Sequence, residues 1–151
     1  MIKIICVGKI KEKYYIEALK EYEKRLSKYT KLRIIEVEDI DNKSIDVILN
    51  KEKELIQRHI DEKDYVITLE IEGNMLNSKD FSIKLDNTLI NNSNITFIIG
   101  GSYGLHPDIK LRSNYSLSFS KMTFPHQLFR VILLEQIYRA FKIMKNESYH
   151  K

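Results

Sequence analysis

Gly100-Gly101-Ser102-Tyr103-Gly104 follows the apolar run Ile95 to Ile99, and residues without a Cβ let a backbone pass close to a ligand. The loop has neither the G-x-G-x-x-G spacing of dinucleotide sites nor the Gly-Lys-Ser/Thr ending of phosphate loops, so its own pattern says only strand-to-helix turn. Leu117-Ser118-Phe119-Ser120-Lys121-Met122-Thr123-Phe124-Pro125-His126 interleaves small hydroxyl residues with large apolar ones. That mixture offers backbone donors and acceptors to the edge of an adenine ring and apolar walls to its face. Tyr149-His150-Lys151 sets a phenol, an imidazole and an ammonium side by side at the end of the sequence. Such a group can move a proton or steady a developing negative charge; the bland alternative is a frayed end. His126 reads as a cap or core histidine, or as a substrate contact. Arg139 stands four residues after Glu135 and reads as half of an intrahelical ion pair, or as a substrate contact. Cys6 is the only cysteine and lies within an apolar run, which excludes an internal disulfide and points to core packing.

The elements that must position these groups alternate along the chain. Ile2 to Val7, Leu32 to Val37, Tyr65 to Ile71, Ile95 to Ile99 and Tyr115 to Phe119 read as strands. Between them, Glu12 to Tyr29, a segment capped by Ser44 or Asp46 and running to about Asp61, and Ser78 to Leu89 read as helices, with a turn at Glu72-Gly73-Asn74. A long helix from Pro125 to Met144 closes the series. The pattern predicts an α/β fold with a mainly parallel sheet covered by helices on both faces. In such sheets ligands bind beyond the carboxyl ends of the strands, where Leu69 to Gly73, the glycine loop and the loop after Leu117 all fall. The last helix is apolar around most of its circumference, which predicts burial on nearly every side and hence a second copy of the chain against part of it.

The 151 residues suit one domain with a sizeable core. No apolar run approaches the length of a bilayer span, and the first residues read as a strand rather than a targeting segment, which predicts a cytoplasmic protein. The net charge of +4 is unevenly spread. Residues 1–33 carry ten Lys/Arg against four Asp/Glu, residues 34–64 five against ten, and residues 121–151 six against two. Two basic ends brought together by folding could hold a polyanion, while solvated lysines are the plainer reading.

Gly100-Gly101-Ser102-x-Gly104, the stretch Leu117 to Gln127, the run Arg130 to Ile143 and the closing Tyr149-His150-Lys151 together resemble the ribosomal RNA large-subunit methyltransferase H family, of the SPOUT class. The likeness runs from the opening Ile-x-x-Val-Gly-Lys through Glu21-Tyr22-Glu23-Lys24-Arg25 to the last residue. It implies a single SPOUT domain over residues 1–151 without an added RNA-binding domain, a C-terminal trefoil knot and a homodimer. Knots are rare, and nothing in the periodicity calls for one. It further implies S-adenosylmethionine bent into the knotted loops, with contacts at Leu69, Gly100, Leu117, Ser118, Phe119, Ser120, Lys121 and Met122. The family's substrate is a pseudouridine in helix 69 of 23S ribosomal RNA, methylated at N3 within the assembled 70S ribosome.

Transfer to N3 needs no metal, but it needs alignment, stabilisation of enolate charge and a route for the imide proton. Tyr149, His150 and Arg139 are the catalytic candidates, and Tyr149, His150, Lys151 and His126 the candidates for meeting substrate. A non-catalytic ribosome-assembly or RNA-binding factor could carry the same fold. A nucleotide-dependent oxidoreductase would need the dinucleotide fingerprint that the chain lacks.

Overall fold

The structure, a computed structural model, describes residues 1–151. Its elements in chain order are β1 (Ile2–Val7), α1 (Lys13–Leu26), β2 (Leu32–Val37), α2 (Ile45–Gln57), β3 (Tyr65–Met75), α3 (Ser78–Asn91), β4 (Ile95–Ile99), α4 (Pro107–Arg112), β5 (Tyr115–Ser118) and α5 (His126–Met144). The five strands form one sheet in the order β2-β1-β4-β3-β5, and every neighbouring pair is parallel. This is the α/β architecture the alternation predicts.

Strand side chains alternate between two apolar layers, as the pleat requires. Ile2, Ile4, Cys6, Phe97 and Ile67 join Leu19 of α1, Phe81 of α3 and Leu133, Leu134, Ile137 and Phe141 of α5 in the larger core. Ile5, Val7, Val66 and Ile98 face the other way, onto Ile56 of α2 and Ile109 of α4. Helix α5 packs against both α1 and α3. Cys6 is completely buried, and burial pushes its thiol up to about 12, consistent with packing rather than reactivity.

Capping follows local chemistry. Ser44 Oγ accepts from the Val47 amide at 3.4 Å, and Asn77 Oδ1 from the Asp80 amide at 2.8 Å. Helix α4 is absent from the sequence reading because its 6 residues show less than two turns of periodicity. Its signal is local: Pro107 in the first turn and His106 Nδ1 accepting from the Asp108 amide at 3.0 Å.

The turn expected at Glu72-Gly73-Asn74 is not there. Strand β3 runs on to Met75, and Leu117 pairs with both Leu69 and Asn74, so the four residues between them bulge out. A Cβ on Gly73 would stand 2.9 Å from the Leu117 carbonyl carbon, so glycine lets the bulge close onto β5. Asn74 Nδ2 donates to the Ser116 carbonyl at 3.0 Å and pins the resumed pairing.

The opposite end of the sheet is closed by buried charge. Lys3 Nζ lies 2.9 Å from Asp64 Oδ2 and 3.1 Å from Asp61 Oδ2, and donates to the His59 carbonyl at 2.6 Å. Thr96 Oγ1 and the Asp61 amide also donate to Asp64 Oδ2, at 2.9 and 3.0 Å. Burial alone would raise the Asp64 carboxyl, but Lys3 and these hydrogen bonds outweigh it and hold the group below its ordinary value.

Candidate functional site

The carboxyl ends of β3, β4 and β5 and the first turns of α5 surround a cleft of about 370 Å³. The bulge after Leu69 forms one wall, the glycine loop the floor, and the loop after β5 the other wall. Phe119 and Phe129 meet edge to face at 5.0 Å, and Phe124 stacks on Phe129 at 5.9 Å. The result is one apolar aromatic side and one side carrying polar residues, among them Glu70, Glu72, Ser102 and Lys110.

Leu69, Gly100, Leu117, Phe119, Ser120, Met122 and His126 all line this cleft. Ser118 and Lys121 do not. Ser118 is buried, with Oγ 2.8 Å from the Ile71 carbonyl and 3.1 Å from that of Ser120, so it ties the loop to the β3 bulge. Lys121 is exposed at the loop's tip. Ser120 Oγ accepts from the Met122 amide at 3.0 Å and tightens the same turn.

The glycines are needed by the loop itself. A Cβ on Gly100 would lie 2.6 Å from the Gly104 carbonyl oxygen and 3.0 Å from Leu105 Cδ2. Gly100 therefore allows the loop to fold back on itself, where the sequence suggests close approach to a ligand. Gly104 has a φ of +77°, and its amide donates to the Gly101 carbonyl at 3.1 Å.

Tyr149, His150 and Arg139 are brought together, but not at the cleft. Glu135 Oε1 accepts from Arg139 at 2.6 and 3.1 Å and from the Tyr149 hydroxyl at 3.1 Å. The Arg139 guanidinium also lies over the Tyr149 ring at 4.8 Å, and that ring meets Tyr138 edge-on at 5.0 Å. Burial and then the bond to Glu135 push the Tyr149 phenol up to about 12, so it stays protonated and serves as a donor. Arg139 Nη1 is 3.1 Å from His150 Nδ1. A guanidinium can only donate, so Nδ1 accepts and the ring proton sits on Nε2. Phe129 is the last residue of α5 on the cleft and Arg139 follows ten residues later, about 15 Å further along the helix. Lys151 is exposed beyond it.

Three further groups matter that the sequence reading assigns no site role. Arg130 is buried and donates to Glu36 Oε2 and the Gly8 carbonyl, both at 2.6 Å, locking α5 to the ends of β1 and β2. Glu70 and Lys110 line the cleft, 3.5 Å apart. Lys110 comes from α4, which the sequence pattern does not reveal.

The profile of the family described as "Predicted SPOUT methyltransferase" matches residues 1–150, and the chain belongs to that family. S-adenosylmethionine is the methyl donor of SPOUT methyltransferases. The structure of a probable methylase family protein from Haemophilus influenzae Rd KW20 is similar in fold, with a TM-score of 0.62 over 99% of this chain and 70% of that chain, at 12% sequence identity. No helix of the chain is long and apolar enough to cross a membrane.

Proposed function

We propose that the chain methylates N3 of a pseudouridine in helix 69 of 23S ribosomal RNA within the assembled 70S ribosome, using S-adenosylmethionine held in the cleft. The observation that carries this reading is the convergence of the three motif-bearing loops on one cleft, with aromatic walls beside polar residues. That lining fits an adenine nucleoside: Leu69, Leu117, Phe119 and Met122 for the ring faces, and the main chain of Gly100 and Ser120 for its edges. Bound there, the donor supplies a methyl group already activated on a sulfonium. Lys121, exposed beside the cleft, is free to meet an RNA phosphate. Threading of the segment after β5 as a trefoil knot belongs to the same proposal, as does residence in the cytoplasm with the ribosomes.

The reading also requires a homodimer. One subunit ties its Tyr149-His150-Lys151 tail to Glu135 and Arg139, the latter about 15 Å along α5 from the last cleft residue, Phe129, so in this reading the tail of a second copy completes the site. Leu128, Val131 and Ile132, which share one face of α5, remain only half-buried in a single subunit and provide the apolar face for that contact. In the completed site, Glu135 fixes Arg139 and Tyr149, and Arg139 fixes His150 with Nε2–H free to donate. That N–H suits the carbonyl oxygen on which charge develops as the imide loses its proton. Calorimetric titration with S-adenosylmethionine tests the cleft. Saturable binding at one site per subunit is expected, and no binding at millimolar donor would overturn the reading.

A further inference from the structure

Glu70 has no part in the function proposed above, although it stands inside the cleft. It is the first residue after β3 leaves its register with β5, and only 18% of its side chain is exposed. Two neighbours hold it. The fully buried Thr68 donates from Oγ1 to Glu70 Oε2 at 2.7 Å, and Thr68 Oγ1 is itself 2.9 Å from Ser113 Oγ. On the other side, Lys110 Nζ is 3.5 Å from Oε1. A carboxylate has about four acceptor sites, so one held in this way keeps unused lone pairs on both oxygens while its orientation is set.

Resting on the methyl-donor reading of the cleft, we propose that Glu70 is a donor-binding residue that accepts hydrogen bonds from the two ribose hydroxyls of the bound nucleoside. Charge argues for the ribose over the amino-acid end of the donor. Lys110 already stands beside the carboxylate, so a second ammonium would meet like charge, whereas hydroxyls bring none. Shape agrees, because a cis-diol presents two donors side by side to the two oxygens of one carboxylate. Placement agrees as well: Leu69, which precedes Glu70, and Phe119 across the cleft form the apolar part of the lining, so base and sugar would lie on adjoining surfaces. Glu72, the other acid on the cleft, is exposed and makes no comparable pair of contacts.

The test is a calorimetric titration of the wild type, Glu70→Ala and Glu70→Gln with four probes: S-adenosylmethionine, adenosine, 2′,3′-dideoxyadenosine and 5′-deoxy-5′-methylthioadenosine. Melting temperatures of the variants confirm that they are folded, and the near-isosteric Gln variant serves if Ala disturbs the bulge. The wild type should prefer adenosine to the dideoxy compound by about tenfold or more, the scale of hydrogen bonds to a charged acceptor. Glu70→Ala should lose that preference and should weaken the methylthio compound as much as the full donor, since both keep the diol. Retention of the preference in Glu70→Ala would overturn the assignment. So would a loss confined to S-adenosylmethionine, which would place Glu70 at the amino-acid end. Donor binding by the wild type without any preference for the hydroxyls would overturn the Glu70 assignment alone. Failure of the wild type to bind any probe would overturn the methyl-donor reading and this inference with it.

Discussion

Replacing Gly100 with alanine adds one methyl group at the tightest point of the cleft floor. The new Cβ would stand 2.6 Å from the Gly104 carbonyl oxygen, 2.8 Å from its carbon and 3.0 Å from Leu105 Cδ2. Ordinary contact begins near 3.4 Å, so the Gly104 backbone must retreat by roughly 0.8 Å, with the hydrogen bond between Gly104 and Gly101 opposing it. Overpacking of this kind costs about 1–3 kcal/mol. If the loop moves rather than the sheet, that cost falls on the proposed donor site and weakens binding about five- to 150-fold. Gly104 is the internal control. A Cβ there meets nothing within 4 Å, and only its φ of +77° opposes a side chain, at about 1–2 kcal/mol. Donor titration and thermal melting of Gly100→Ala and Gly104→Ala should therefore show the larger loss of affinity at Gly100. Wild-type affinity and melting temperature in Gly100→Ala, or a larger effect at Gly104, would refute the steric reasoning.

Lys3→Met should destabilise the fold by about 3–5 kcal/mol near neutral pH, because it strands the buried Asp64 carboxylate. The folded Asp64 titrates below its ordinary value, so its stabilising contribution is present above the usual carboxylate range and lost as pH falls through the lowered value. Denaturant melts should accordingly show the Lys3→Met penalty shrinking in acid, and a pH-independent penalty would contradict the pairing. Ile132→Asp, on the half-buried face of α5, should turn a sedimenting dimer into a monomer and abolish methyl transfer; a monomeric wild type at micromolar concentration would remove the basis for the dimer. Truncation after Ser148 deletes the Tyr149 contacts to Glu135 and Tyr138 but nothing lining the cleft. It should abolish transfer to ribosomes and leave donor affinity within a few-fold of wild type. Loss of both would show that the tail supports the fold.

Periodicity made the sheet and its long helices legible, because each strand is a dense apolar run and each long helix shows several turns of spacing. The same reasoning failed at Glu72-Gly73-Asn74, where turn-forming residues serve a bulge that only pairing with β5 explains. It missed α4, and with it Lys110, since six residues carry too little pattern. The three loops around the cleft could be read from the rule that parallel sheets bind at their carboxyl ends, and the family motifs marked residues within them. The motifs could not show that Ser118 faces inward to hold the bulge, or that Gly100 yields its space to Gly104. Arg139 and the tail share one cluster through Glu135, and that spacing was visible as an ion pair four residues apart. Their distance from the cleft depends on the length and direction of α5 in three dimensions.

Transfer of a tritiated methyl group from S-adenosylmethionine to 70S ribosomes that lack the modification would show whether the protein methylates helix 69. Digestion of the 23S RNA and mass spectrometry then locate the label. One methyl group per ribosome is expected, on N3 of a pseudouridine in helix 69, with little or none on free 23S RNA. Ribosomes left unlabelled at saturating donor, or labelled on a different base, would contradict the proposed function.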